Sequence, residues 1–307
     1  MGAESLITTL QWAAFFWGAA WGSFLNVVIY RLPEGLSVVT PGSHCPQCES
    51  PVRWYDNIPC LSYFILRGRC RNCQEPFSVR YALIEITCGV LSLALFRSTA
   101  LPLSEETLLS GMGTWLWLQV FVFGLVAITF IDLKHLFIPD EISISAMVIG
   151  VAGAYALPNM DGHTAALGMG AGLGFMLAVA GLGWLVYRRE ALGLGDAKLM
   201  GMIGAYLGWK ALPFVLFASA VQALVAVGIT RAWSKLTGVE SDLTLTTEEL
   251  DAHFGEEDRY EEQDLEPRLV VPYGPFLALA AIEALFFGSD SIWWLAEWMA
   301  NKLVGGL

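Results

Sequence analysis

Residues 193–208 read Gly-Leu-Gly-Asp-Ala-Lys-Leu-Met-Gly-Met-Ile-Gly-Ala-Tyr-Leu-Gly, between two apolar segments. The carboxylate of Asp196 is what needs explaining. Insertion scales put an acid at mid-bilayer at roughly +2.5 to +3.5 kcal/mol, so an acid at such a junction is a functional candidate by default. Gly193 and Gly195 allow strained dihedrals and close approach of another helix or an extended substrate. Four residues alone prove little. Their meaning depends on whether the chain offers a second acid at the same depth.

The 307 residues are 55% hydrophobic and only 15% charged, with a mean hydropathy of +0.55. A soluble domain this apolar would have no surface, and several runs approach the ~20 apolar residues of a bilayer span. The expected fold is an all-α polytopic membrane protein. Spans are predicted at roughly 6–30, 81–97, 113–133, 141–157, 164–187, 197–209, 212–230 and 270–288, about eight in all. The first has Glu4 and no Lys or Arg at its start and no small-residue cleavage site, so it reads as an uncleaved span. Its Gly18, Gly22, Ser23 and Asn26 predict close helix packing with one polar inter-helix bond. The sixth span is short and carries Gly201, Gly204 and Gly208, which suits a tilted, broken or protein-shielded helix.

The net charge of −12 is local. Residues 240–268 hold twelve acids and two arginines, leaving −2 for the rest of the chain. That composition predicts a disordered linker over 232–268, with attraction of a basic partner segment as its functional alternative. Placing 31–80 in the cytoplasm puts 14 of the 17 Lys and Arg inside, leaving Arg97, Lys210 and Lys302 outside. The positive-inside rule then makes both termini extracytoplasmic. The expected division is a first helix (1–30), a cytoplasmic cysteine domain (31–80), helices two to seven (81–231), the acidic loop (232–268), an eighth helix (269–290) and an interfacial helix (291–307). Trp293, Trp294 and Trp298 mark that last segment, too short and polar to span.

Four of the six cysteines form two CxxC pairs, Cys45/Cys48 and Cys70/Cys73, separated by twenty-one residues. This spacing closes a tetrahedral four-thiolate site that structural zinc favours, and a reducing cytoplasm disfavours disulfides. A redox pair is the alternative. Four thiolates saturate the metal, so no open position remains for catalysis. Cys60 and Cys88 stand alone and read as small buried hydrophobes.

The second acid closes the third span, in Ile131-Asp132-Leu133-Lys134-His135-Leu136-Phe137-Ile138-Pro139-Asp140. The topology sets Asp132 at the depth of Asp196, 64 residues away in sequence. Two carboxylates sharing a proton can activate water against a peptide carbonyl. An interfacial acid paired with Lys134 or an arginine is the bland reading of Asp132, and Asp140 reads as a helix N-cap. A helix C-terminus disfavours a carboxylate and an N-terminus favours one. Asp132 is therefore expected to hold the shared proton, and Asp196 to be the ionised activator.

With Lys198 two residues past Asp196, these segments resemble the prepilin peptidases of type IV pilus and type II secretion systems. The likeness extends through Gly22-Ser23-Phe24-Leu25-Asn26, Tyr30-Arg31-Leu32-Pro33, Trp54-Tyr55-Asp56-Asn57-Ile58-Pro59, Leu66-Arg67-Gly68-Arg69-Cys70, Arg80-Tyr81 with Glu85, and Tyr273-Gly274-Pro275-Phe276. The resemblance implies an eight-span GxGD aspartic protease of the bacterial inner membrane that removes the basic leader of prepilins and pseudopilins after a glycine. It implies Asp132 and Asp196 as the catalytic pair, with Gly193, Gly195 and Lys198 in the active-site loop. Members with the cysteine loop are also N-methyltransferases using S-adenosylmethionine. No GxGxxG follows a predicted strand, so no nucleotide site is recognisable. The acidic insertion departs from the family pattern. Prepilins and the lipid bilayer are the expected partners, nucleic acid is not, and oligomeric state is open. Two other classes compete. A proton-coupled transporter also suits acids and broken spans, but these acids lie at the membrane edge and no inverted repeat is visible. A zinc-bearing assembly scaffold would leave the acids incidental.

Overall fold

The computed structural model describes residues 3–101, 108–158, 160–187, 193–237 and 271–288. Helices dominate: α1 (Ala3–Arg31), α2 (Leu61–Ile65), α3 (Arg80–Thr99), α4 (Leu108–His135), α5 (Asp140–Ala156), α6 (Gly162–Tyr187), α7 (Leu194–Leu207), α8 (Leu212–Thr237) and α9 (Gly274–Phe287). Two isolated bridges, His44 with Pro51 and Arg69 with Pro76, are the only β pairing among the described residues. The architecture is the expected all-α one. Five segments, those of α1, α3, α4, α6 and α8, are long and apolar enough to cross a membrane. The helices α5, α7 and α9 have 17, 14 and 14 residues. At 1.5 Å per residue they are shorter than the roughly 30 Å hydrocarbon core.

Position in the bundle explains how short α7 is. Leu199 to Tyr206 of α7 are all buried, against α4, α5, α6, α8 and α9. A helix wrapped in protein is not measured against lipid thickness, so the expected shielding is what occurs. It is not broken. Its glycines instead admit α6: a Cβ on Gly204 would lie 2.1 Å from the carbonyl oxygen of Gly168, and one on Gly201 3.3 Å from Leu173 Cβ. Backbone meets backbone there, which only small residues permit. The same device joins α1 to α3. A Cβ on Gly18 would stand 2.4 Å from Cys88 O, and one on Gly22 2.7 Å from the Cα of Glu85. Asn26 supplies the expected polar bond, its Nδ2 donating to Tyr81 O at 3.1 Å.

At the centre runs α4, touching α1, α3, α5, α7 and α9. Its most apolar window is 72% buried, against 17% in the segment of α8. A polar relay crosses this centre: Trp17 Nε1 donates to Gln119, Gln119 Nε2 to Ser92, and Ser92 Oγ to the carbonyl of Ala14. Such satisfied chains fix helix rotation where apolar contact alone would not.

Two boundaries move. Residues 232–237, expected to open the acidic loop, continue α8, because Ala232, Lys235 and Leu236 propagate a helix well. Asp140 is not an N-cap. Pro139 holds that position, and Asp140 opens α5. The rest of the acidic loop and the interfacial helix expected at 291–307 lie outside the described residues.

Candidate functional site

The end of α4 shapes the site. Leu136 adopts φ +53°, a left-handed conformation costly for a branched side chain, and turns the chain sharply back. Phe137, Ile138 and Pro139 follow, then α5. Ile138 thereby points inward, buried between two glycines. A Cβ on Gly195 would lie 3.1 Å from Ile138 Cβ, and one on Gly274 3.4 Å from its Cδ1. Asp132, one turn before Leu136, is 6% exposed. Its Oδ2 accepts the backbone N–H of Gly274 at 3.0 Å. Asp196 is half-buried in the first turn of α7, within electrostatic reach of Asp132. Two acids far apart in sequence are thus brought together.

Lys198, one helical face away, forms an ion pair with Asp140 at 2.5 Å. It ties the start of α7 to the start of α5 and holds both beside the end of α4. Gly193 is the N-cap of α7 with φ −66°, and neither it nor Gly195 is among the positive-φ glycines. The expectation that both glycines serve strained dihedrals is therefore corrected: close approach is the reason for Gly195. At Gly193 an added Cβ would meet, among the described residues, only Asp196 Oδ2, at an ordinary 3.7 Å, and the residue is exposed.

Two helix ends act on Asp132. The residue ends α4, yet its carboxylate also faces the N-terminus of α9, where Gly274 is the first helical residue. An oxygen that accepts an N–H is the poorer place for a proton, which leaves Oδ1 of Asp132 and the Asp196 carboxyl as the better ones. Asp132 pairs with a backbone amide where an ion pair with Lys134 or an arginine was the bland expectation. Gly274 and Ile138 had no assigned role in the sequence. The signal for the first was Gly-Pro at a helix start, where a bare N–H faces out of the first turn.

The cysteine loop repeats one backbone design. Cys45 N–H donates to Ser50 O and Glu49 N–H to Cys45 O; Cys70 N–H donates to Glu75 O and Gln74 N–H to Cys70 O. Glu49 and Gln74 both take positive φ, closing the two knuckles. The four sulfurs lie within 4.8 Å of one another, with Cys45–Cys73 at 3.7 Å and Cys48–Cys70 at 3.9 Å. Tetrahedral zinc with 2.3 Å bonds sets its sulfurs about 3.8 Å apart, so the donor set fits. Ser50, through its hydroxyl and its backbone, holds the Cys48 thiol down to about 6. His44 bonds to Gly42 O and stands outside the set. Arg71 clasps Asp56 with both Nε and Nη2, holding that carboxyl below its ordinary range. Cys88 is fully buried as expected, whereas Cys60 is half-buried, its amide donating to Glu85 at 2.7 Å.

The cysteine loop and the two acids fall in segments that match known protein families. Residues 16–99 match the bacterial peptidase A24 N-terminal domain, and residues 119–228 the type IV leader peptidase family. The chain is 37% identical to the prepilin leader peptidase/N-methyltransferase of Myxococcus xanthus, over 95% of this chain and 94% of the relative. It is 34% identical to the protein of that name from Aeromonas hydrophila, over 91% of each. With that from Legionella pneumophila it shares 28% identity, over 96% of this chain and 99% of the relative. No solved structure matches it significantly.

Proposed function

The chain belongs to the type IV leader peptidase family, and from that premise we propose an aspartic endopeptidase in which Asp132 and Asp196 cleave the leader of prepilins at the cytoplasmic membrane face. The observation that carries the roles is the convergence of the two carboxylates around Ile138, Gly195 and Gly274. The pair shares one proton and activates a water, whose oxygen bonds to the scissile carbonyl carbon. The C–N bond then breaks, and the pair returns a proton to the leaving amine. Gly274 fixes Asp132 Oδ2 as the acceptor, leaving Oδ1 to exchange protons. The exposed backbone at Gly193 offers room for an extended substrate strand.

The eight helices other than α2 complete the spans, with the cysteine loop and the dyad on one cytoplasmic rim. The charge distribution supports that orientation. A basic leader then meets the dyad where its apolar helix enters the bilayer. Cys45, Cys48, Cys70 and Cys73 hold structural zinc, which would fold the loop and supply no catalytic position. N-methylation of the new terminus accompanies cleavage, as the relatives' names indicate for those proteins. S-adenosylmethionine supplies the methyl group.

Incubating purified protein with a prepilin in detergent tests the dyad. Wild type should cleave, and Asp132→Ala and Asp196→Ala should not. Cleavage surviving either substitution would refute it, and a transporter or scaffold would cleave in no form.

A further inference from the structure

We infer that the cavity between the cysteine loop and the adjoining ends of α1 and α3 binds the methyl donor, S-adenosylmethionine, with Glu85 facing its sulfonium and Arg53 its carboxylate. This rests on the N-methyltransferase reading and gives it a place. The cavity measures about 500 Å³, within the range of small-molecule sites. Val27 of α1, Ile58 and Tyr63 of the loop give it apolar and aromatic walls suited to an adenine ring.

Its charges match the ligand. Among the described residues four charged side chains line it: Arg53, Asp56, Arg71 and Glu85. Asp56 and Arg71 neutralise each other. Among the described residues Glu85 has no cationic partner; its carboxylate accepts the Cys60 amide and a bond from the Ser23 side chain, which hold it in place without neutralising it. Arg53 donates to the Tyr55 hydroxyl and lies over that ring, but forms no ion pair among the described residues, so one acid and one base remain without an opposite charge for a molecule that carries a sulfonium and a carboxylate.

A second, independent observation points the same way. Asn26 lines the cavity and is 5% exposed, so it is nearly fully buried. Its Nδ2 donates to Gly22 O at 3.2 Å and Tyr81 O at 3.1 Å, which fixes the amide orientation. Its Oδ1 has no partner among the described residues. Buried polar atoms are rarely left so, and an adenine amine or ribose hydroxyl would satisfy this one. Two zinc ligands, Cys45 and Cys70, line the same cavity, so closing the knuckles builds one wall.

In the transfer, Glu85 accepts the proton that the terminal amine sheds as its nitrogen bonds the methyl carbon. The sulfur–carbon bond breaks with its electron pair returning to sulfur, leaving the neutral thioether S-adenosylhomocysteine.

Calorimetric titration of the full-length, zinc-loaded protein in detergent tests the site with two probes. Sinefungin carries an amine in place of the sulfonium, and S-adenosylhomocysteine is neutral there. Wild type should bind both. Glu85→Gln should weaken sinefungin at least tenfold and S-adenosylhomocysteine less than threefold, a split that a structural role would not produce. Val27→Trp, which fills the cavity, should weaken both at least tenfold; zinc content reports that each variant is folded. Should Val27→Trp fail to fold, the Glu85→Gln split decides alone. If wild type binds and neither variant alters either affinity, the location is wrong and the methyltransferase reading stands. If wild type binds neither probe and methylates no pilin, that reading falls and the site with it.

Discussion

Replacing Gly274 by Ala separates catalytic geometry from stability. The new Cβ would lie 2.7 Å from Asp132 Oδ2 and 3.2 Å from its Cγ. Ordinary contact begins at 3.4 Å, so the carboxylate or α9 must yield by about 0.7 Å. The backbone N–H remains, and Gly274 is helical without a positive φ, so neither a lost donor nor backbone strain contributes. A misplacement of 1 Å at a reacting group costs about 10²-fold in rate. The expected fall in kcat for prepilin cleavage is therefore roughly 10- to 100-fold, with KM nearly unchanged. Overpacking of about 1–3 kcal/mol is partly offset by up to ~1 kcal/mol of helix propensity, so the melting temperature should drop by a few degrees at most. Single-turnover cleavage in detergent, beside a thermal scan, reads both. A kcat within twofold of wild type would show that Asp132 need not be held where α9 holds it.

The purified protein should carry about one zinc per chain, and Cys70→Ser should bring that below roughly a fifth, by elemental analysis. Gly204→Leu drives a side chain into the Gly168 backbone and should lower the melting temperature by about 10 °C or abolish folding, whereas Gly170→Leu, which meets open space, should stay within about 2 °C. Equal effects would discount the α6–α7 approach. Burial pushes the Cys60 thiol up to about 11 from the usual 9.0, Glu85 adding to the effect. The thiolate is the reactive form and the raised value depletes it below pH 11, so alkylation at pH 7.5 should run roughly 100-fold slower than for a free cysteine and rise about tenfold per pH unit. Mass spectrometry of the native protein would follow it, and a rate within fivefold of a free cysteine would contradict the burial.

Much of the site was legible. Asp196 was visible as a costly acid, Asp132 as a second acid expected near it, and the paired CxxC spacing as a set of four thiolates able to hold a metal. The contacts that tune them were not. The Gly274 amide meets Asp132 across 142 residues of chain, and nothing in Tyr-Gly-Pro-Phe names that partner. Lys198 could have served either acid nearby until the fold paired it with Asp140. Gly193 and Gly195 look alike in sequence, yet only Gly195 is pressed by a neighbouring side chain.

What the amino-acid order determined alone was membrane residence, helical class and the chemistry on offer. Those follow from transfer free energies and ligand spacings that add up residue by residue along a local stretch. Tertiary structure decided which oxygen of Asp132 is occupied, why a 14-residue helix suffices at the centre, and that Glu85 and Asn26 face one cavity. These depend on ångström separations between helices, set by where small residues let backbones meet.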